Sequence, residues 1–134
     1  MATLPVQTPV RILIADDSSS VRSLIRKLVE SHSNLWKVCA EAANGAEAVQ
    51  KAMELKPDLV IIDLQMPVLD GISASARIVK SLPSTPILVN TIYKSAYVDF
   101  EAKNAGVREV ISKGDPGRLL KAVEGLLGKK SKLT

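Results

Sequence analysis

The stretch Leu59-Val60-Ile61-Ile62-Asp63-Leu64-Gln65-Met66-Pro67 limits what this chain can become more than any other. Four large apolar residues follow one another without alternation, which suits a strand covered on both faces, as the central strands of parallel sheets are. The carboxylate that ends the run cannot belong to the core. It falls at the strand's carboxyl end, where open α/β sheets bind their ligands. A lone carboxylate there also serves as a helix cap, so the other strands must decide its role.

Taken in order, residues 1–9 lack periodicity and hold two prolines, and read as a flexible leader. Val10 to Ala15 is a strand ending in Asp16-Asp17, and Ser18, Ser19 and Ser20 offer caps to a helix with an apolar stripe through Val21, Leu24, Ile25, Leu28 and Val29. Trp36 to Glu41 alternates as an edge strand would. Asn44 with Glu47 forms a capping box for a helix through Ala48, Val49, Ala52 and Met53, closed by Pro57. Beyond the central strand, Asp70-Gly71 open a third helix carrying Ile72, Ala76, Ile78 and Val79, with Asp70 as its N-cap. Pro86 to Thr91 is the fourth strand, and a helix from about Ser95 to Ala105 follows, with Gly106 after its end. Arg108 to Lys113 is a more polar strand, and Asp115-Pro116 start a last helix with a stripe through Leu119, Leu120, Val123, Leu126 and Leu127, stopped at Gly128.

Five strands alternating with five helices predict an α/β fold, a doubly wound parallel sheet with helices on both faces. Strands one, three and four are the most apolar, while two and five read as edges, which fits the order 2-1-3-4-5. The 134 residues suit one domain, spanning 10–128, with 129–134 as a basic tail or linker stub. No apolar run approaches the roughly 20 residues of a membrane span, and residues 1–5 have no signal-peptide pattern, so a cytoplasmic protein without membrane contact is expected. The single cysteine, Cys39, and single histidine, His32, exclude an internal disulfide and a Cys/His metal cluster. The net charge of +4 is concentrated at the end: without Lys129, Lys130 and Lys132, 15 of the 18 basic side chains remain against 14 acidic ones. That balance gives no reason for direct nucleic-acid binding.

In the 2-1-3-4-5 order the chain reverses direction between strands one and three, which brings Asp16, Asp17 and Asp63 to one crevice. Three carboxylates there repel one another, by several kcal/mol per pair at about 4 Å and an intermediate dielectric, unless a cation sits among them. Oxygen-only ligands suit Mg²⁺ or Mn²⁺. Thr91 and Lys113 end the fourth and fifth strands and add a hydroxyl and an ammonium to the same rim. That set suits a phosphoryl group, and a carboxylate can be its acceptor.

The acidic pair Asp16-Asp17, Asp63 followed by Met66-Pro67 and Asp70-Gly71, Thr91 and Lys113 stand in this order, each at or just past a strand end. In this the sequence resembles the receiver domain of bacterial two-component response regulators, from Val10 to Leu127. The resemblance implies a phosphorylation switch, with Asp63 accepting a phosphoryl group from a histidine kinase or phosphotransfer protein. It implies Asp17 as a direct Mg²⁺ ligand, Asp16 as one acting mainly through water, and the backbone carbonyl of Gln65 as a third. Thr91 and Lys113 would contact phosphoryl oxygens, and Gln65 and Tyr93 would flank the water that later removes the group. No enzyme activity is expected beyond self-catalysed phosphorylation and dephosphorylation. The alternative is an interaction module of the same fold whose output is independent of phosphorylation. A phosphatase with an aspartyl nucleophile would need an acid where Gln65 stands.

Three positions depart from the family pattern. Gly114 replaces a proline common after the lysine, Val110 stands where an aromatic ring is usual, and Ile92 is bulkier than the usual small residue and would narrow access to Asp63. Of four aromatic residues, Tyr93, Tyr97 and Phe100 fall within eight positions, and Tyr97 and Phe100 lie roughly 125° from the core stripe of Val98, Ala102 and Ala105 on the fourth helix. One expectation is that they cover the neighbouring edge strand at Val110. The other is that they anchor a homodimer or downstream protein on the face of helix four and strand five.

Overall fold

Alternation along each strand divides the core into two layers, and this is what winds helices onto both faces of the sheet. In the computed structural model, which describes residues 8–132, the sheet comprises β1 (Val10–Ala15), β2 (Trp36–Ala42), β3 (Leu59–Ile62), β4 (Ile87–Thr91) and β5 (Glu109–Ser112). All neighbours pair in parallel, in the order β2-β1-β3-β4-β5. The helices are α1 (Ser19–His32), α2 (Gly45–Leu55), α3 (Gly71–Ser81), α4 (Ala96–Asn104) and α5 (Pro116–Lys132).

Ile12 and Ile14 of β1, Leu59 and Ile61 of β3 and Leu88 of β4 pack with Ile25 and Val29 of α1 and Leu119, Val123 and Leu127 of α5. The intervening residues, Leu13 and Ala15, Val60 and Ile62, Ile87 and Val89, form the second layer with Ala48 and Ala52 of α2, Ala74 and Ile78 of α3 and Ala102 of α4. All four residues of β3 are buried, so its unbroken apolar run has the physical cause expected of it. Truncating any one of these leucines or isoleucines to alanine costs about 2–5 kcal/mol.

The helix starts follow their caps. Ser18, Asn44, Asp70 and Ser95 each accept the N–H of the residue three positions on, at 2.8–3.3 Å. Asp70 is thus the cap of α3, as expected. Two stripes are narrower than the sequence indicates: Leu24 of α1 and Ala76 of α3 are exposed, and the small residues Ala74 and Ser75 take the buried side of α3. The end of α5 also differs, since its backbone runs on through Gly128 to Lys132. Glycine costs a helix only about 1 kcal/mol relative to alanine, and the lysines after it are good helix formers with no proline among them. Residues 1–7 of the expected leader lie outside the described residues, and Thr8-Pro9 have no regular structure.

Candidate functional site

The parallel ladder carries on past the strand ends and places the polar residues. Asp63 donates its N–H to the Ala15 carbonyl (2.9 Å), Asp16 to that of Ala42 (3.0 Å) and Lys113 to that of Thr91 (2.9 Å). Asp16, Asp63, Thr91 and Lys113 therefore stand on one rim, at the carboxyl ends of four adjacent elements. Asp16, Asp17 and Asp63 each offer a carboxylate oxygen within 4.8 Å of the other two. Asp16 and Asp63 are buried, at 1% and 7% exposure, and Thr91 is fully so, whereas Asp17 faces solvent.

The Lys113 ammonium bridges the two buried carboxylates, 2.7 Å from Asp16 Oδ2 and 3.2 Å from Asp63 Oδ2. Burial pushes the Asp63 carboxyl above its ordinary pKa; the Lys113 charge pulls it back and the Asp16 charge raises it again, leaving it elevated. Burial would lower the Lys113 pKa, but its hydrogen bond to Asp16 and the charges of Asp63 and Asp16 outweigh that and hold it above the usual lysine value. Asp63 Oδ1 also accepts the N–H of Leu64 (2.8 Å), and Asp16 Oδ1 that of Ser18 (2.9 Å). Both Asp16 oxygens thus have protein partners. No hydrogen bond or ion pair engages the Asp17 carboxylate among the described residues. Thr91 Oγ1 accepts the N–H of Tyr93 (3.1 Å), which leaves its own proton to donate.

Asp17 shares an open recess with Gln65, Met66, Pro67 and Asp70 from the β3–α3 loop. Asp16, Asp17, Asp63, Thr91 and Lys113 therefore share one rim, with Gln65 in the recess beside Asp17. The donors suit a hard divalent cation: they are all oxygens, two of the carboxylates are desolvated, and among the described residues one ammonium, Lys113, pairs with two of the three. Tyr97 and Phe100 lie apart on α4, 70% and 61% exposed, with Ile92 and Tyr93 also exposed beside them. Val110 is half-buried against the second apolar layer and shares an open recess with Lys94, Asp99 and Lys103 of α4 and the loop before it. Ile92 is 68% exposed. After Lys113 the turn is made by Gly114 at φ +93°, and no cis peptide occurs among the described residues.

Sequence reasoning missed Arg22. Its guanidinium donates to the Asp16 backbone carbonyl (2.7 Å) and to Glu41 of β2 (2.9 Å), tying α1 to the strand end that carries the acidic pair. The available signal was a cation in the first turn of a helix, where the macrodipole disfavours positive charge unless another partner compensates. Gly71 was read as a helix opener only, yet a Cβ there would lie 2.0 Å from the Asp63 carbonyl oxygen. Only glycine lets α3 start against the backbone of Asp63.

A 2-1-3-4-5 parallel sheet with three carboxylates, a threonine and a lysine at its carboxyl rim defines an α/β domain built around an acidic pocket. The model of the response regulator receiver domain matches residues 12–124, and the chain belongs to that family. It is 37% identical over 116 residues to a protein-glutamate methylesterase/protein-glutamine glutaminase of Carboxydothermus hydrogenoformans, a match covering 86% of this chain and 32% of that protein. A protein of the same description from Geobacter metallireducens is 40% identical over 77% of this chain and 29% of its own length. The chain thus spans about a third of the length of these curated relatives. Among solved structures, a LuxR-family two-component response regulator from Aurantimonas sp. SI85-9A1 superposes with a TM-score of 0.85 at 32% identity, covering 91% of this chain and 87% of that one. The response regulator domain of Thermotoga maritima CheB does so with a TM-score of 0.82 at 30% identity, covering 90% and 97%. Among the described residues, no helix is long and apolar enough to cross a membrane.

Proposed function

We propose that Asp63 is the phosphoacceptor of this receiver domain and takes a phosphoryl group from a histidine kinase or a phosphotransfer protein, in the cytoplasm. The observation that carries this reading is the convergence of Asp16, Asp17 and Asp63 within 4.8 Å, with Lys113 bridging the buried pair. An Asp63 oxygen attacks phosphorus, the bond from phosphorus to the donor breaks, and the donor leaves with the electron pair. The Thr91 hydroxyl is set to donate to one phosphoryl oxygen, and the Lys113 ammonium to another. Asp17, with no partner among the described residues, would hold Mg²⁺ (or Mn²⁺) directly beside the carbonyl of Gln65, and Asp16, already engaged by Ser18 and Lys113, would act through water. Bound there, the cation would neutralise charge on the transferring phosphoryl group.

The chain acts by switching and not by an esterase reaction of its own; its only chemistry is self-catalysed gain and loss of phosphate. The exposed surface of Tyr97 and Phe100 on α4, next to β5, is where a phosphorylated copy or a downstream protein would bind. Intact-mass measurement after acetyl phosphate and Mg²⁺ tests the acceptor: a gain of about 80 Da is expected for the parent and none for Asp63→Ala. A gain retained in Asp63→Ala places the phosphoryl group elsewhere.

A further inference from the structure

The β3–α3 loop, which carries Gln65, is clamped at both ends by glycines. At its start, Gly71 lies against the Asp63 carbonyl and donates its N–H to the Leu64 carbonyl at 2.8 Å. At its far end the Leu69 carbonyl rests on Gly45, the first residue of α2, where a Cβ would lie 2.0 Å from the Leu69 oxygen and 2.7 Å from its carbon. Between these clamps the chain reverses through a three-residue turn in which Leu69 donates its N–H to Pro67 (2.8 Å). Its centre, Val68, is held at φ +71° with its side chain in solvent. A β-branched residue avoids that region, and such turns are rare and strained. With Pro67 also fixed in φ, the loop has little slack in which to absorb a push at Leu69.

We propose, on the basis of the metal reading above, that Gly45 is a positioning residue for the cation site. It touches no ligand. It acts by seating Leu69, and the rigid turn at Val68 passes that placement to the Gln65 carbonyl. In Gly45→Ala the Leu69 oxygen must retreat by about 1 Å before the new contact reaches even 3.0 Å, and the loop that carries the Gln65 carbonyl is displaced relative to Asp17. Groups that orient a metal's ligands without binding it typically contribute about 10–100-fold to affinity. A glycine at position 68 would uncouple the two ends, because it adopts many backbone conformations freely.

The test is a Mg²⁺ titration followed by the backbone amide resonances of residues 63–71, on the parent, Gly45→Ala and Gly45→Ala/Val68→Gly, with melting temperatures recorded in EDTA. The expected result is a dissociation constant raised about tenfold in Gly45→Ala and mostly restored in the double variant. The Mg²⁺ concentration for half-maximal phosphorylation by acetyl phosphate should shift in parallel, while the extent at saturating Mg²⁺ stays near the parent's. A Gly45→Ala protein that melts earlier but binds Mg²⁺ as the parent does would overturn the proposal. So would a double variant that binds as weakly as the single one, or the failure of both to fold, which would make Gly45 a requirement of the whole fold. A parent that shows no response to Mg²⁺ removes the metal reading itself, and this role of Gly45 with it.

Discussion

Replacing Lys113 by methionine keeps the length and most of the volume of the side chain and removes the only ammonium that pairs with Asp16 and Asp63 among the described residues. Their side chains are 2% and 8% exposed, against 19% for Lys113, so the two carboxylates are left facing each other with little water to compensate. Removing one partner of a buried ion pair costs about 3–5 kcal/mol, and the partial exposure of Lys113 together with the open side at Asp17 argues for the lower figure. At this chain length about 3 kcal/mol corresponds to a melting temperature lower by about 10 °C. The pH dependence follows from the directions of the shifts. Lys113 has a raised folded pKa, so its stabilising contribution is complete below the ordinary lysine value and is lost as pH rises through the folded one. Without it the Asp63 pKa, already raised by burial, rises further. A carboxylate with a raised folded pKa destabilises at neutral pH, and that cost disappears as pH falls below the ordinary carboxylate range. Thermal melts of parent and Lys113→Met in EDTA, from about pH 3 to about pH 8 (about the range in which carboxylates and histidine titrate), should therefore converge at the acid end and diverge towards neutrality. Mg²⁺ at 100 times the parent's dissociation constant adds about 2.7 kcal/mol to the parent, and the more negative pocket of the variant, binding the cation more tightly, should gain more at the same concentration. Melting temperatures within about 2 °C of each other at pH 7 in EDTA would show that the bridge does not neutralise the pocket.

Two further expectations concern the aromatic residues. Tyr93→Ala should lose phosphate faster than the parent in an autodephosphorylation assay with Mg²⁺, because the ring two residues past Thr91 obstructs the water's in-line approach; an unchanged or slower rate removes Tyr93 from this role. Phe100→Ala should leave the melting temperature and Asp63 phosphorylation nearly unchanged, since the ring is mostly in solvent, while weakening self-association or target binding of the phosphorylated form in sedimentation or titration experiments. A stability loss on the order of 3–5 kcal/mol would instead show a ring that belongs to the core.

What the sequence determined by itself is what local pattern can encode. The unbroken run Leu59 to Ile62 marked a strand covered on both sides, and the more polar β2 and β5 marked edges; together they set the strand order. That order alone brings Asp16, Asp17, Asp63, Thr91 and Lys113 to one rim, because every strand of a parallel sheet ends on the same side. Asn44 and Asp70 announced their helices because a cap acts within three residues of itself. Only the tertiary structure decided how the charges divide: Lys113 lies closer to Asp16 than to Asp63, and Arg22 reaches the Asp16 carbonyl from α1. Those distances depend on how helices sit across the sheet, which spacing along the chain does not encode. The same holds for Gly45, whose need to be glycine arises from a carbonyl 24 positions away, and for Val68, which stands at a positive φ in its loop. Tyr97 and Phe100 could be assigned to one side of a helix from their spacing, but whether that side met β5 or solvent depended on where α4 packs, and it left both rings exposed.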